Sequence, residues 1–171
     1  ELARRTTFEA EEQEVLRHLA FRVRKRTITD QDLTAIAHER RTSPWYPAYQ
    51  VLYKAVQAAG RLLTAVEWLD VSATTLEEGV QRYTQDWYRV DQDYRLYRHA
   101  YRTASQPEVL DALTADVERA YTGTYLRALG STWQSLITPD SWRSETARPQ
   151  ASFYQGQVAP QTHLGKHVVV I

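Results

Sequence analysis

The sequence has no cysteine and no methionine in 171 residues, and only six glycines. Without a thiol there is no disulfide framework, no thiolate nucleophile and no Cys-ligated metal, which fits a reducing, cytoplasmic compartment. Neither Gly156 nor Gly165-Lys166 has the spacing of a P-loop, and no Ser or Thr follows the lysine. No serine stands in a Gly-x-Ser-x-Gly elbow. No window approaches the roughly 18 apolar residues of a membrane span, and no signal-peptide pattern opens the chain. Charge of one sign is not in excess. With 21 basic and 21 acidic residues, no global field draws nucleic acid or an anionic membrane. The absence of methionine leaves no initiating residue, so the chain is expected to be a piece of a longer protein.

What is present is dominated by one stretch, Leu76 to Tyr101. Leu76, Val80, Tyr83, Trp87, Val90, Tyr94, Tyr97 and Tyr101 follow one another at steps of 4, 3, 4, 3, 4, 3 and 4. Arg82, Asp86, Arg89, Asp93, Arg98 and Arg102 lie off that stripe. This spacing predicts a long amphipathic helix with one apolar seam, a rod of roughly 40 Å. Tyr and Trp fill most of the seam, so each buried OH or NH needs a partner.

Around the rod the chain reads as further helices. Thr6 and Glu9 stand at capping-box spacing before a first helix whose apolar face is Val15, Leu16, Leu19, Ala20 and Val23. Thr29 to Asp32 cap a second helix through Ile36 and Ala37 to Arg41. Ser43-Pro44-Trp45-Tyr46-Pro47 breaks it. A third helix follows with Tyr49, Leu52, Val56, Ala59, Leu63 and Val66, and Gly60 inside it suggests a close helix approach. Thr75 and Glu78 form a second capping box at the start of the rod, and Ser105 and Glu108 a third, with Pro107 early in the next helix. That fifth helix shows Leu110, Leu113, Val117, Tyr121, Tyr125, Leu129, Trp133 and Leu136. Short turns between long helices force antiparallel neighbours, so rod and fifth helix should form a hairpin beside the third. Trp87, Tyr94 and Trp133 are expected to be buried together. Residues 138–164 read as a linker with Trp142 as a packing anchor and a short helix over Ser152 to Val158, stopped before Pro160. His167-Val168-Val169-Val170-Ile171 reads as a buried strand. The fold expected is therefore all-α. It is an antiparallel bundle of four to five helices over 1–137, a linker over 138–164, and a single β-strand over 165–171 that opens a truncated α/β domain.

Candidate chemistry is thin. Asp86, Asp91 and Asp93 share the rod, but a di-iron bundle wants Glu-x-x-His on two helices, and no Glu has a His three residues on. These acids read as solvated or bound to Arg on a neighbouring helix. His163 and His167 sit four apart, yet Gly165 keeps them off a common helical face, and zinc needs further ligands. His18, His38 and His99 read as surface residues. Arg22, Arg24, Lys25 and Arg26 read as cations in the last turn of a helix, which suits the macrodipole, ahead of a contact to nucleic acid or an acidic partner. Arg89, Arg95, Arg98 and Arg102 lie beside tyrosines, but base stacking needs exposed rings and the stripe buries them. No catalytic, cofactor-binding or metal-binding residue is assigned.

Several segments in order resemble PglZ proteins of the BREX phage-defence systems, which carry an alkaline-phosphatase-like domain after a helical region. They are Arg40-Arg41-Thr42-Ser43-Pro44-Trp45-Tyr46-Pro47 followed by Tyr49, Leu52 and Ala55, and then Asp86-Trp87-Tyr88-Arg89-Val90-Asp91-Gln92-Asp93-Tyr94-Arg95. Val117 to Tyr121 with Tyr125, Leu126, Leu129 and Trp133 come next, and Phe153-Tyr154, Val158, Pro160 and Lys166 to Ile171 complete the set. The resemblance spans about Ile36 to Ile171. It implies a non-catalytic helical module that packs on the phosphatase-like domain or docks other BREX components. The Ser-Asp motif and two divalent metals, zinc by the same resemblance, would lie beyond Ile171. The alternative is a nucleic-acid-binding or protein-docking module acting through Arg22–Arg26 and Arg40–Arg41.

Overall fold

In the computed structural model, which describes residues 8–139 and 152–168, every regular element is helical. Helix α1 (Glu9–Arg24) carries Glu9, Glu11 and Glu12 in its first turn and Arg22 and Arg24 in its last, matching the macrodipole at both ends. Its first turn is closed by the Glu11 carboxylate, which accepts the Phe8 N–H at 3.2 Å. Thr6, the expected cap, lies outside the described residues. Helix α2 (Asp30–Arg40) starts as its sequence predicts. The Thr29 hydroxyl accepts the Asp32 N–H at 3.1 Å, and the Asp32 carboxylate accepts the Thr29 N–H at 3.2 Å. Helix α3 (Tyr46–Trp68) has Pro47 in its first turn, where the missing N–H costs no helical bond.

The rod follows as one continuous helical run over 76–103, but it is not uniform. Leu76–Arg82 and Tyr88–Thr103 are α-helical, and Tyr83–Trp87 between them is a π-segment. The return helix over 107–136 opens as a 3-10 turn at Pro107–Leu110, becomes α-helical over Asp111–Glu118, and runs through an eight-residue π-segment, Arg119–Leu126. It ends α-helically at Arg127–Leu136. Ser105 does not cap it. The N-cap is Gln106, whose side chain instead joins Gln13 and Tyr49. The long π-segment has a cause in the sequence. Leu113, Val117, Tyr121, Tyr125, Leu129 and Trp133 are spaced strictly by four. On an α-helix each such step overshoots a full turn by about 40°, so five steps would carry Trp133 about 200° from Leu113. The i→i+5 bonding of a π-segment puts more residues in each turn and cancels that drift. All six side chains accordingly stay buried or half-buried.

Helix α3 is the centre of the bundle. It packs along the rod and against α1 and α2, while the return helix packs on α3 and the rod and reaches α1. Tyr49, Leu52, Tyr53, Ala55, Val56, Ala59, Leu62 and Leu63 are all at or below 2% exposure. Gly60 permits the approach of α2, because a Cβ there would lie 3.1 Å from the Leu33 methyl. Gly79 does the same for the hairpin, with Trp133 and Leu136 carbons 3.0 Å from its would-be Cβ. Trp87 is buried, meets Trp133 edge-on at 6.2 Å and donates its indole N–H to the Asp70 carbonyl at 3.2 Å. Tyr94 departs from the expected trio. It stacks on Tyr121 at 3.7 Å instead, because the π-segment rotates Tyr121 beneath it.

The C-terminal expectations are corrected in part. The expected short helix is present as a π-segment, Tyr154–Val158, and Pro160 does not stop it: the run continues as an α-helix over Ala159–His163 with Pro160 as its second residue. Gly165, at φ 73°, ends that helix in the left-handed region, and 166–168 form no strand. Val169–Ile171 and Trp142 lie outside the described residues.

Candidate functional site

Two carboxylates organise the polar interior. The first is Glu12, fully buried between α1, α2 and α3. It is ion-paired with Arg40, and it also accepts the Tyr53 hydroxyl at 2.6 Å and the Ser43 hydroxyl at 3.0 Å. Burial alone would raise the Glu12 pKa. The bonds from Arg40, Tyr53 and Ser43 outweigh it and hold the carboxyl below its ordinary value. Tyr53 is pushed far up, first by burial and then by the Glu12 carboxylate.

The second is Asp91, on the side of the rod that faces the return helix. It accepts the Tyr83 hydroxyl at 2.8 Å and the Tyr121 hydroxyl at 2.7 Å. The Tyr125 hydroxyl reaches it at 3.2 Å while donating to the Trp87 carbonyl at 2.8 Å. Both π-segments contribute: Tyr83 and Trp87 belong to one, Tyr121 and Tyr125 to the other. An open groove of about 520 Å³ lies over this cluster, lined by Tyr83, Asp91, Arg95, Tyr121, Leu126 and Trp133. Burial first, and then the Asp91 carboxylate, push Tyr83, Tyr121 and Tyr125 above the ordinary phenol range. These phenols stay protonated at neutral pH. They can donate or accept hydrogen bonds, but none is a base or an oxygen nucleophile there.

The other sequence candidates fall apart spatially. Asp93 pairs with Arg61 at 2.7 Å, as expected for a rod acid meeting a neighbouring helix. Asp86 is exposed. Asp91 fits neither the solvated nor the arginine-bound expectation, and the tyrosine cluster was missed. Its signal was a seam-edge acid on the rod opposite Tyr121 and Tyr125, one turn apart. Of the basic clusters, Arg40 is 1% exposed and unavailable to any surface partner. Arg24 is committed to Asp116 at 2.6 Å, and Arg26 to the Val23 carbonyl at 2.9 Å. Arg98 pairs with Glu118 at 2.9 Å. His163 ends the last helix and His167 lies beyond it. Among the described residues no three His, Asp or Glu side chains gather as a metal-binding group, so the donor set for a two-metal centre is not found there. No described helix is long and apolar enough to cross a membrane.

No family model matches the chain, and no curated protein or solved structure matches it.

Proposed function

We propose that the chain is a non-catalytic helical module of a PglZ-like protein of the alkaline-phosphatase superfamily in BREX anti-phage defence, acting in the cytoplasm. In this reading it packs on the phosphatase-like domain or docks another BREX component. The two divalent metals and the hydrolytic residues belong to the domain beyond Ile171. The segments from Ile36 onward that resemble PglZ support the family. One observation carries the non-catalytic part: the polar groups of the interior are spent on joining helices. Glu12 joins three of them, and Asp91 ties the rod to the return helix through phenols that stay protonated.

The test is to express residues 1–171 separately from the downstream phosphatase-like domain, mix the two and measure association. Phosphoester hydrolysis is then assayed on each part with added divalent metal. The reading expects activity only where the downstream domain is present, and association between the parts or with another BREX component. Metal-dependent turnover by residues 1–171 alone, unchanged by repurification, would sink it.

A further inference from the structure

The groove over Asp91 holds two opposite charges that the fold leaves unmatched. Glu78, Arg82, Asp93 and Arg98 of the rod form ion pairs, but among the described residues Asp91 and Arg95 form none. The three phenols around Asp91 are neutral, so they occupy its lone pairs without cancelling its charge. Oδ2 takes the Tyr83 and Tyr125 hydroxyls, whereas Oδ1 takes only that of Tyr121. A carboxylate oxygen has about two acceptor sites, so Oδ1 keeps one for a further donor. Arg95 stands one turn along the rod, about 6 Å up the axis. Its Nε donates to the Asp91 carbonyl at 3.3 Å, and its terminal nitrogens lie outside that bond. Its charge reaches the Tyr83 hydroxyl, where it opposes the rise in pKa. Beside these charges runs an apolar wall of Leu126, Leu129 and Trp133. Leu126, which ends the second π-segment, is 39% exposed.

We propose that this groove binds an α-amino acid with a large apolar side chain. The proposal goes beyond the docking reading and does not depend on it. The two charges select the ligand class. A simple anion at Arg95 would be repelled by Asp91, and a simple cation at Asp91 would be repelled by Arg95. A neutral apolar molecule would leave both unmatched. A zwitterion meets both. An α-amino acid carries its ammonium and carboxylate on one carbon, a compact pair that suits groups one turn apart. Its ammonium would donate to the open position on Asp91 Oδ1, and its carboxylate would accept from the Arg95 guanidinium, a charge-assisted bond at each end. Its side chain would cover Leu126 and lie against Leu129 and Trp133, taking apolar surface out of water. The volume of about 520 Å³ falls within the roughly 300–1,000 Å³ of small-ligand sites. Both π-segments line the groove, through Tyr83 on one side and Tyr121 and Leu126 on the other, and such segments recur at functional sites.

The experiment titrates the whole chain calorimetrically with L-phenylalanine and three analogues. These are its C-terminal amide, which lacks the carboxylate, its N-acetyl derivative, which lacks the ammonium, and glycine, which lacks the side chain. L-phenylalanine should bind saturably, and each analogue about tenfold or more weakly, through one lost charge-assisted bond or the lost apolar contact. Arg95→Gln should weaken L-phenylalanine about tenfold but not the amide, which has no carboxylate to lose. Asp91→Asn should weaken L-phenylalanine about tenfold but not the N-acetyl derivative. A merely structural role for either residue would not sort the analogues in this way. Circular dichroism checks the fold of each variant, and Arg95→Gln, at an exposed position, carries the test alone if Asp91→Asn misfolds. No saturable binding of L-phenylalanine overturns the proposal. So does an amide or N-acetyl derivative that binds as tightly as the free amino acid, or a folded Arg95→Gln protein that binds L-phenylalanine as the parent does.

Discussion

The buried carboxylate of Glu12 and the half-buried one of Asp91 solve one problem in opposite ways. Glu12 is sealed among α1, α2 and α3, and its charge is met by a cation, Arg40, that is as buried as it is. Asp91 lies at the floor of an open groove, and neutral phenols from two helices meet its charge. A sealed ion pair has no water to fall back on, so losing one partner strands a charge. A carboxylate beside a groove can be rehydrated. The first arrangement pins three helices in one register; the second holds a hairpin with a gentler penalty for error.

The largest effects should come from the sealed side and the core. Arg40→Ala should destabilise by about 3–5 kcal/mol in urea unfolding, because it leaves Glu12 buried and unpaired. The double variant Glu12→Leu, Arg40→Met should recover most of that loss, since an apolar pair of similar volume replaces the ions. Trp87→Ala should cost a similar 3–5 kcal/mol, the usual range for emptying a core aromatic site. A small loss from Arg40→Ala would end the comparison.

Acid titration offers a second way to separate the sites. Because the folded Glu12 pKa is depressed, its contribution is present in full above the ordinary glutamate value of about 4.3. It is lost as pH falls through the depressed folded value. The midpoint of thermal unfolding should therefore drop less steeply on acidification in Glu12→Gln than in the parent protein. Equal slopes would show that Glu12 does not supply the acid sensitivity.

On the groove side, Asp91→Ala should cost about 1–3 kcal/mol, because the released hydroxyls can turn to water. Tyr121→Phe, which removes one of the bonds, should cost about 1 kcal/mol in the same measurement. A loss from Asp91→Ala as large as that from Arg40→Ala would show that the groove does not relieve the site. The hairpin's glycines give the smallest and most contrasting pair. Gly79→Ala should destabilise by about 1–3 kcal/mol through overpacking against Trp133 and Leu136. Gly130→Ala meets nothing within 4 Å and should stabilise by up to about 1 kcal/mol through helix propensity. The same sign for both would mean that the close approach at Gly79 can relax.

By itself the sequence determined the helical class, the order of the helices and most of their burial. Its heptad stripe put Trp87, Val90 and Tyr97 in the core, and Thr29 and Thr75 marked helix starts. These are local or periodic properties, set by 3.6-residue geometry and by capping bonds within one turn. The four-residue stripe of the return helix also carried the need for a π-segment, though the pattern passes for an ordinary amphipathic helix until the drift is added up. Only the tertiary structure decided which polar residues meet. Arg40 stands in a basic pair at a helix end, and nothing near it in sequence shows that Glu12, 28 residues earlier, will draw it inside. Asp91 is one of three rod acids, and its tyrosines come from positions 8, 30 and 34 residues away. Tyr83 lies two turns away on the rod itself, but Tyr121 and Tyr125 are brought in by how the rod and return helix cross, which depends on Gly79, on both π-segments and on packing summed over the whole seam. The same packing engages Asp91, Asp93 and Glu118 and leaves Arg89, Arg95 and Arg102 exposed, on a chain whose composition alone shows no excess charge.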